Sequence, residues 1–249
     1  SLSVECDELA TLAMAEMDPE GRAAYTFYGP ATADWQWKRS ELRLSTRVAG
    51  PAVRAVHTGS LAVAMEPGAS VLAEWLRQVR RHGDVVVSLD PNVRPSLVGN
   101  LRQYRRRLDE LVGCAHVVKL STDDLDAVAP GTAVPKVVAR WHSRGAYLVV
   151  VTQGPGGATA FHQSGARVHC PAPAIEMVDT IGAGDAFTAG LLSYFASHGL
   201  IHPSSLVALN VDDLRAALAL AVAAGAFTCT RQGADPPSWA ELEDFSGRS

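Results

Sequence analysis

Four cysteines in 249 residues, with no Cys-x-x-Cys pair and no histidine nearby at zinc-finger spacing, exclude a disulfide framework and a structural zinc site. Cys6, Cys114, Cys170 and Cys229 read as reduced, mostly buried thiols. No run approaches the ~20 consecutive apolar residues of a membrane span. The N-terminus also lacks a basic stretch followed by an apolar one, so the expected location is cytoplasmic, with no membrane partner. Basic residues are not in excess. A formal charge of -4 leaves nothing to neutralise a phosphodiester backbone, which argues against a nucleic-acid partner. The one local cluster, Arg105, Arg106 and Arg107, lies in a helical pattern and reads as a solvated face. Repeats, low-complexity tracts and long linkers are absent too. With 47% hydrophobic and 19% charged residues, the chain can bury a large core as one domain over 1–249.

What is present is an alternation of short β-rich runs with amphipathic helical patterns. Strand-like 53–57 precedes a helical pattern over 69–81; the apolar strand DVVVSLD (84–90) precedes another over 101–112. AHVVKL (115–120), a helix over 134–142 and AYLVVVT (146–152) follow. Strands this apolar are covered on both faces, which predicts a parallel sheet wrapped by helices. After Thr152 a glycine turn and two short runs, 158–161 and 166–169, predict a hairpin at the sheet edge. Helical patterns over 183–197 and 211–228 complete the chain, the second ended by a loop over 231–237. Near the N-terminus, Tyr25 to Tyr28 form a short aromatic strand after a turn over Glu16 to Gly21. Trp35 and Trp37 follow, and packing against the sheet edge is the simpler role for them than cradling a ligand.

The stretch VDTIGAGDAF, Val178 to Phe187, places two glycines and two aspartates between an apolar run and a helix. Backbone N–H groups at such a helix start have no partner inside the helix and, aided by the helix dipole, bind anions. Asp185 falls in the first turn, beside that anion. A plain capping role for Asp179 or Asp185 is the structural alternative. A dinucleotide fingerprint needs a third glycine where Phe187 stands, and a P-loop needs Gly-Lys-Ser/Thr, found nowhere in the chain. Phosphate binding by bare backbone amides remains.

Asp179-Thr180-x-Gly182-Ala183-Gly184-Asp185 resembles the C-terminal signature of the ribokinase-like (PfkB-type) carbohydrate kinases. Asp90-Pro91-Asn92-Val93-Arg94 resembles a strand end of the fructokinases and 2-keto-3-deoxygluconate kinases in that family. Lys119 to Asp124 sits where the family has Lys-x-Asn-x-x-Glu, Thr152-Gln153-Gly154-x-x-Gly157 is similar to its nucleotide turn, and 230–234 to its closing loop. The resemblance runs in order from Tyr25 to the C-terminus. It implies a three-layer α/β/α fold with a mostly parallel central sheet, and phosphorylation of a sugar hydroxymethyl group by ATP. Asp185 is then the catalytic base, with an anion hole from Gly182, Ala183 and Gly184. The nucleotide falls to Lys119, Ser121, Thr152, Gly154, Gly157 and Gly233, and the sugar to Tyr28, Gly59, Asn92 and Arg94. Mg2+ is held mainly by phosphates and water, with Asp124 acting through water, and K+ by Asp179.

The sequence departs from the family at Ser121 and Asp124, where asparagine and glutamate are usual. The Gly-Gly-x-x-Asn sugar segment has no match. The β-lid is therefore expected to be partly or wholly missing, with 22–37 a remnant of it, and a homodimer through lids is a family expectation only. Gly29 stands where ketodeoxygluconate kinases commonly carry an arginine for the substrate carboxylate, which favours a neutral sugar such as fructose. A ketodeoxygluconate or other small-alcohol kinase, and a nucleotide-binding relative without kinase activity, are the alternatives.

Overall fold

The computed structural model describes residues 5–17, 23–29, 31–42 and 53–246. β1 (Leu12–Met17) and β2 (Ala23–Tyr28) form a separate two-stranded antiparallel sheet, with Leu12 opposite Tyr28 and Met17 opposite Ala23. A small two-stranded β-structure is thus present where one aromatic strand and a lid partly or wholly missing were expected. Glu16 and Met17 belong to β1 rather than to a turn, and 18–22 lie outside the described residues.

The main sheet has six strands in sequence order: β3 (Ala55–Gly59), β4 (Val86–Asp90), β5 (Val117–Ser121), β6 (Leu148–Thr152), β7 (Ala158–His162) and β8 (Arg167–Cys170). β3 to β6 pair in parallel, while β7 and β8 form the expected antiparallel hairpin at one edge. Every residue of β4 is buried, as continuous apolar runs covered on both faces require.

Alternation along the strands sorts the core into two layers. Val87, Leu89, Val118, Leu120, Val149 and Val151 face one cluster, where they meet α1 (Gly68–His82), α2 (Leu101–Val112) and α4 (Val134–Arg144). Val86, Val117, Leu148 and Val150 face the other, against α5 (Ala183–Ser197) and α7 (Val211–Thr228). The result is the expected three-layer α/β/α sandwich. Trp37 packs against the first cluster, the structural role anticipated for it.

The helical patterns at 183–197 and 211–228 match α5 and α7 in full. Three short helices escape periodicity: α3 (Thr122–Val128), α6 (Pro203–Val207) and α8 (Trp239–Ser246). With about two turns or fewer, each repeats its apolar spacing too few times to stand out. Among the described residues no helix is long and apolar enough to cross a membrane.

Candidate active site

Parallel strands deliver their C-terminal ends to one edge of the sheet, and in open α/β sheets ligands bind there. A cavity of about 1240 Å3 opens at the ends of β4, β5 and β6, faced by the start of α5. It gathers Asn92 and Arg94 after β4, Lys119, Ser121 and Asp124 at β5, Thr152, Gly154 and Gly157 after β6, and Gly182, Ala183, Gly184 and Asp185 at α5. Tyr28, Gly59, Asp179 and Gly233 do not line it.

The opening of α5 explains its glycines. Gly182 is the N-cap at φ +76, a left-handed conformation without a Cβ penalty only for glycine, and no side chain caps the helix. Ala183 N donates to Thr180 O at 3.3 Å, closing the turn. Of the three residues expected to form the anion hole, Ala183 has its amide spent on the turn, whereas the amides of Gly182 and Gly184, and that of Asp185, have no acceptor among the described residues. The exposed Asp185 carboxylate likewise makes no hydrogen bond or ion pair among them. It caps nothing, which separates it from the purely structural role.

Lys119 and Asp90 form a buried ion pair, Nζ to Oδ2 at 2.8 Å, with side chains only 6% and 5% exposed. Burial pushes the Asp90 carboxyl above the usual carboxylate range, and the Lys119 ammonium opposes it. The ammonium also lies against α5: a Cβ at position 184 would stand 2.9 Å from Nζ. Glycine there lets a cation reach the same patch of backbone that offers free amides.

The loop after β4 is tied from two sides. Asn92 has φ +36, and its N–H donates to Asp90 Oδ1 at 3.2 Å. Arg94 Nη1 donates to Asn92 Oδ1 at 2.5 Å and to the Asn92 and Val93 carbonyls. From β5, Asp124 Oδ1 accepts from Val93 N at 2.6 Å, while Oδ2 accepts from Ser121 N and Oγ. Ser121 and Asp124 thereby make a capping box that starts α3. The expected role of Asp124 in holding magnesium through water gives way, in this geometry, to buried loop anchoring. Among the described residues no group of three or more His, Cys, Asp or Glu is placed to hold a metal.

After β6, Gly154 and Gly157 adopt positive φ in a tight turn closed by Gly157 N donating to Gly154 O at 2.9 Å. Thr152 Oγ1 donates back to Leu120 O, joining β6 to β5. Asp179 and Gly233 meet outside the cavity. Asp179 Oδ2 accepts from Gly233 N at 2.9 Å, and Oδ1 accepts from Thr180 N and Ile181 N. These N–H donors, Gly233 first, hold the Asp179 carboxyl below its ordinary range. The expected monovalent-cation ligand is therefore a carboxylate engaged by three amides, fastening the glycine turn to the loop after α7. Tyr28 is exposed on β2. Gly59, at the end of β3, is required by packing: a Cβ there would fall 1.7 Å from Asp90 O.

Two features of the site escaped sequence reasoning. One is Asp90, whose partner lies 29 residues away; the available signal was a carboxylate ending an apolar strand, in phase with a lysine inside the next. The other is the apolar part of the lining, Ile175, Met177, Ile181, Val222 and Cys229.

The profile of the pfkB family carbohydrate kinases matches residues 2–241. A fructokinase of Klebsiella pneumoniae is 33% identical over 234 residues, 94% of this chain and 72% of that protein. The fructokinase of Xylella fastidiosa with bound ATP superposes with a TM-score of 0.85 at 28% identity, covering 96% of this chain and 73% of that one. A double mutant of the Vibrio cholerae O395 fructokinase, in fructose, ADP and potassium ion bound form, superposes with a TM-score of 0.77 at 25% identity, covering 94% and 72%.

Proposed function

The chain belongs to the pfkB family of carbohydrate kinases, and from that premise we propose that it transfers the γ-phosphoryl group of ATP to a hydroxymethyl group of a neutral sugar, with fructose the first candidate. The observation that carries the reading is an unpartnered carboxylate, Asp185, beside free backbone amides at one helix start, faced by the buried Lys119. Asp185 accepts the proton of the sugar hydroxyl, whose oxygen forms a bond to the γ-phosphorus as the bond to the bridging oxygen breaks and ADP leaves. The Gly184 and Asp185 amides and the Lys119 ammonium take up charge on the transferring group. A carboxylate is a weak base for an alcohol, but in a loose transition state the proton moves late and positioning supplies most of the rate.

The turn at Gly154 to Gly157 faces the remaining phosphates, and the apolar lining of Ile175, Met177 and Ile181 offers a face for the adenine ring. Magnesium would be held mainly by the nucleotide's phosphates and water, and when bound would supply charge neutralisation on the transferring group. Asn92 and Arg94 stand on the sugar side. Support for fructose comes from the fructokinase of Klebsiella pneumoniae and the fructose-bound Vibrio cholerae structure.

The test is ADP release by purified protein with Mg-ATP, across fructose, ribose, 2-keto-3-deoxygluconate, adenosine and no acceptor. Turnover that requires fructose supports the reading. Turnover on an acidic sugar alone, or none on any acceptor, contradicts it.

A further inference from the structure

Asp90, behind the cavity lining, holds residues on both sides of the cavity with different oxygens. Oδ2 holds Lys119, whose ammonium lies against Gly184 on the phosphate side. Oδ1 accepts from Asn92 N, on the sugar side. Asn92 sits at φ +36, uncommon for a residue with a side chain, and its Oδ1 in turn fastens Arg94. An ordered chain thus runs from α5 through Lys119, Asp90 and Asn92 to Arg94, and Asp90, 4% exposed, is its centre.

We propose that Asp90 is a positioning residue that couples the phosphate and sugar sides of the cavity: its charge keeps the Lys119 ammonium against the anion hole, and its second oxygen sets the Asn92 kink that presents Arg94. The proposal rests on the kinase reading above. A buried ammonium needs a paired carboxylate to stay charged and in place, and Asp90 supplies the only ion-pair partner of Lys119 among the described residues. The two tasks are separable by substitution. Asp90→Asn keeps an acceptor for Asn92 N but turns an amide N–H toward the ammonium, donor against donor. Asp90→Ala removes both contacts.

The experiment measures kcat, sugar KM and ATP affinity for the native chain and both variants, with thermal melting to establish folding. For Asp90→Asn the expectation is a fall in kcat of about a hundredfold with sugar KM within about threefold of native. For Asp90→Ala it is the same fall together with a sugar KM raised about tenfold or more. A merely structural role lowers the melting temperature without this split. Native-like kcat in Asp90→Asn overturns the proposal, as does an equal rise of KM in both variants. If Asp90→Asn does not fold, Asp90→Asn combined with Lys119→Met leaves no unpaired buried charge. That pair is expected to fold with near-native KM and the same loss of kcat, and native-like kcat in it overturns the proposal.

If the native chain phosphorylates no sugar, the kinase reading fails, and calorimetric ATP affinity decides the matter for Asp90. Weakening by about tenfold in Asp90→Asn keeps the link between Asp90 and the phosphate site, and unchanged affinity removes it.

Discussion

The Lys119 ammonium rests against the backbone of Gly184, one residue from the Asp185 carboxylate, because position 184 carries no side chain. Gly184→Ala places a methyl 2.9 Å from Nζ, and the flexible lysine end yields rather than the helix. The fold should survive while the charge beside the free amides of this helix start moves. The expected result is a melting temperature close to native and a kcat lowered by about 10–100-fold, measured by coupled ADP release.

Asp124 stabilises two elements at once, the capping box of α3 and the backbone of Val93. Asp124→Ala leaves the buried Val93 N–H without its acceptor, a loss of about 1–3 kcal/mol. Urea unfolding should show it as a lower midpoint at unchanged slope. Sugar KM should rise more than ATP KM, because the loosened loop carries Asn92 and Arg94.

Arg231 lies over the Phe227 ring at 4.3 Å and pairs with Asp235 and Glu241, fastening α8 to the loop that carries Gly233. The Arg231 hydrogen bond, with help from Ser238, pulls the Glu241 carboxyl down to about 2. A depressed carboxylate contributes stability that is present above its ordinary pKa and lost as pH falls toward its folded value. The melting-temperature difference between the native chain and Glu241→Gln should therefore be constant above about pH 5, shrink between pH 4.5 and 2, and diminish with added salt because the pair is exposed.

Phe195 is fully buried between α5 and the sheet. Phe195→Ala should cost about 3–5 kcal/mol through the cavity it leaves, read as a lowered urea midpoint.

Much of this framework is legible in the chain because burial on two faces writes itself as continuous apolar runs. β4, β5 and β6 are such runs, and α5 and α7 follow a glycine turn and an asparagine cap, Asn210, that mark where they begin. β1 is not legible: Leu12, Ala13 and Met14, on both faces of its first half, are all exposed, so no buried face marks where the strand begins. α3 hides because its start signal is a side-chain exchange between Ser121 and Asp124, residues that also read as a departure from the nucleotide motif. In the site, the glycine-aspartate turn names Asp185 directly, since local chemistry sets its place. The partner of Lys119 is a matter of strand register, which the sequence carries only as the shared phase of Asp90 and Lys119 on neighbouring strands.

The central claim, that Asp185 is a base rather than a cap, is tested most directly by Asp185→Asn. Its carboxylate makes no hydrogen bond or ion pair among the described residues, so the variant should melt as the native chain does and bind ATP with native affinity by calorimetry. Its fructose-dependent ADP release should fall by about 10^2–10^4-fold. Sugar phosphorylation at a rate near native in this folded, ATP-binding variant would contradict the assignment.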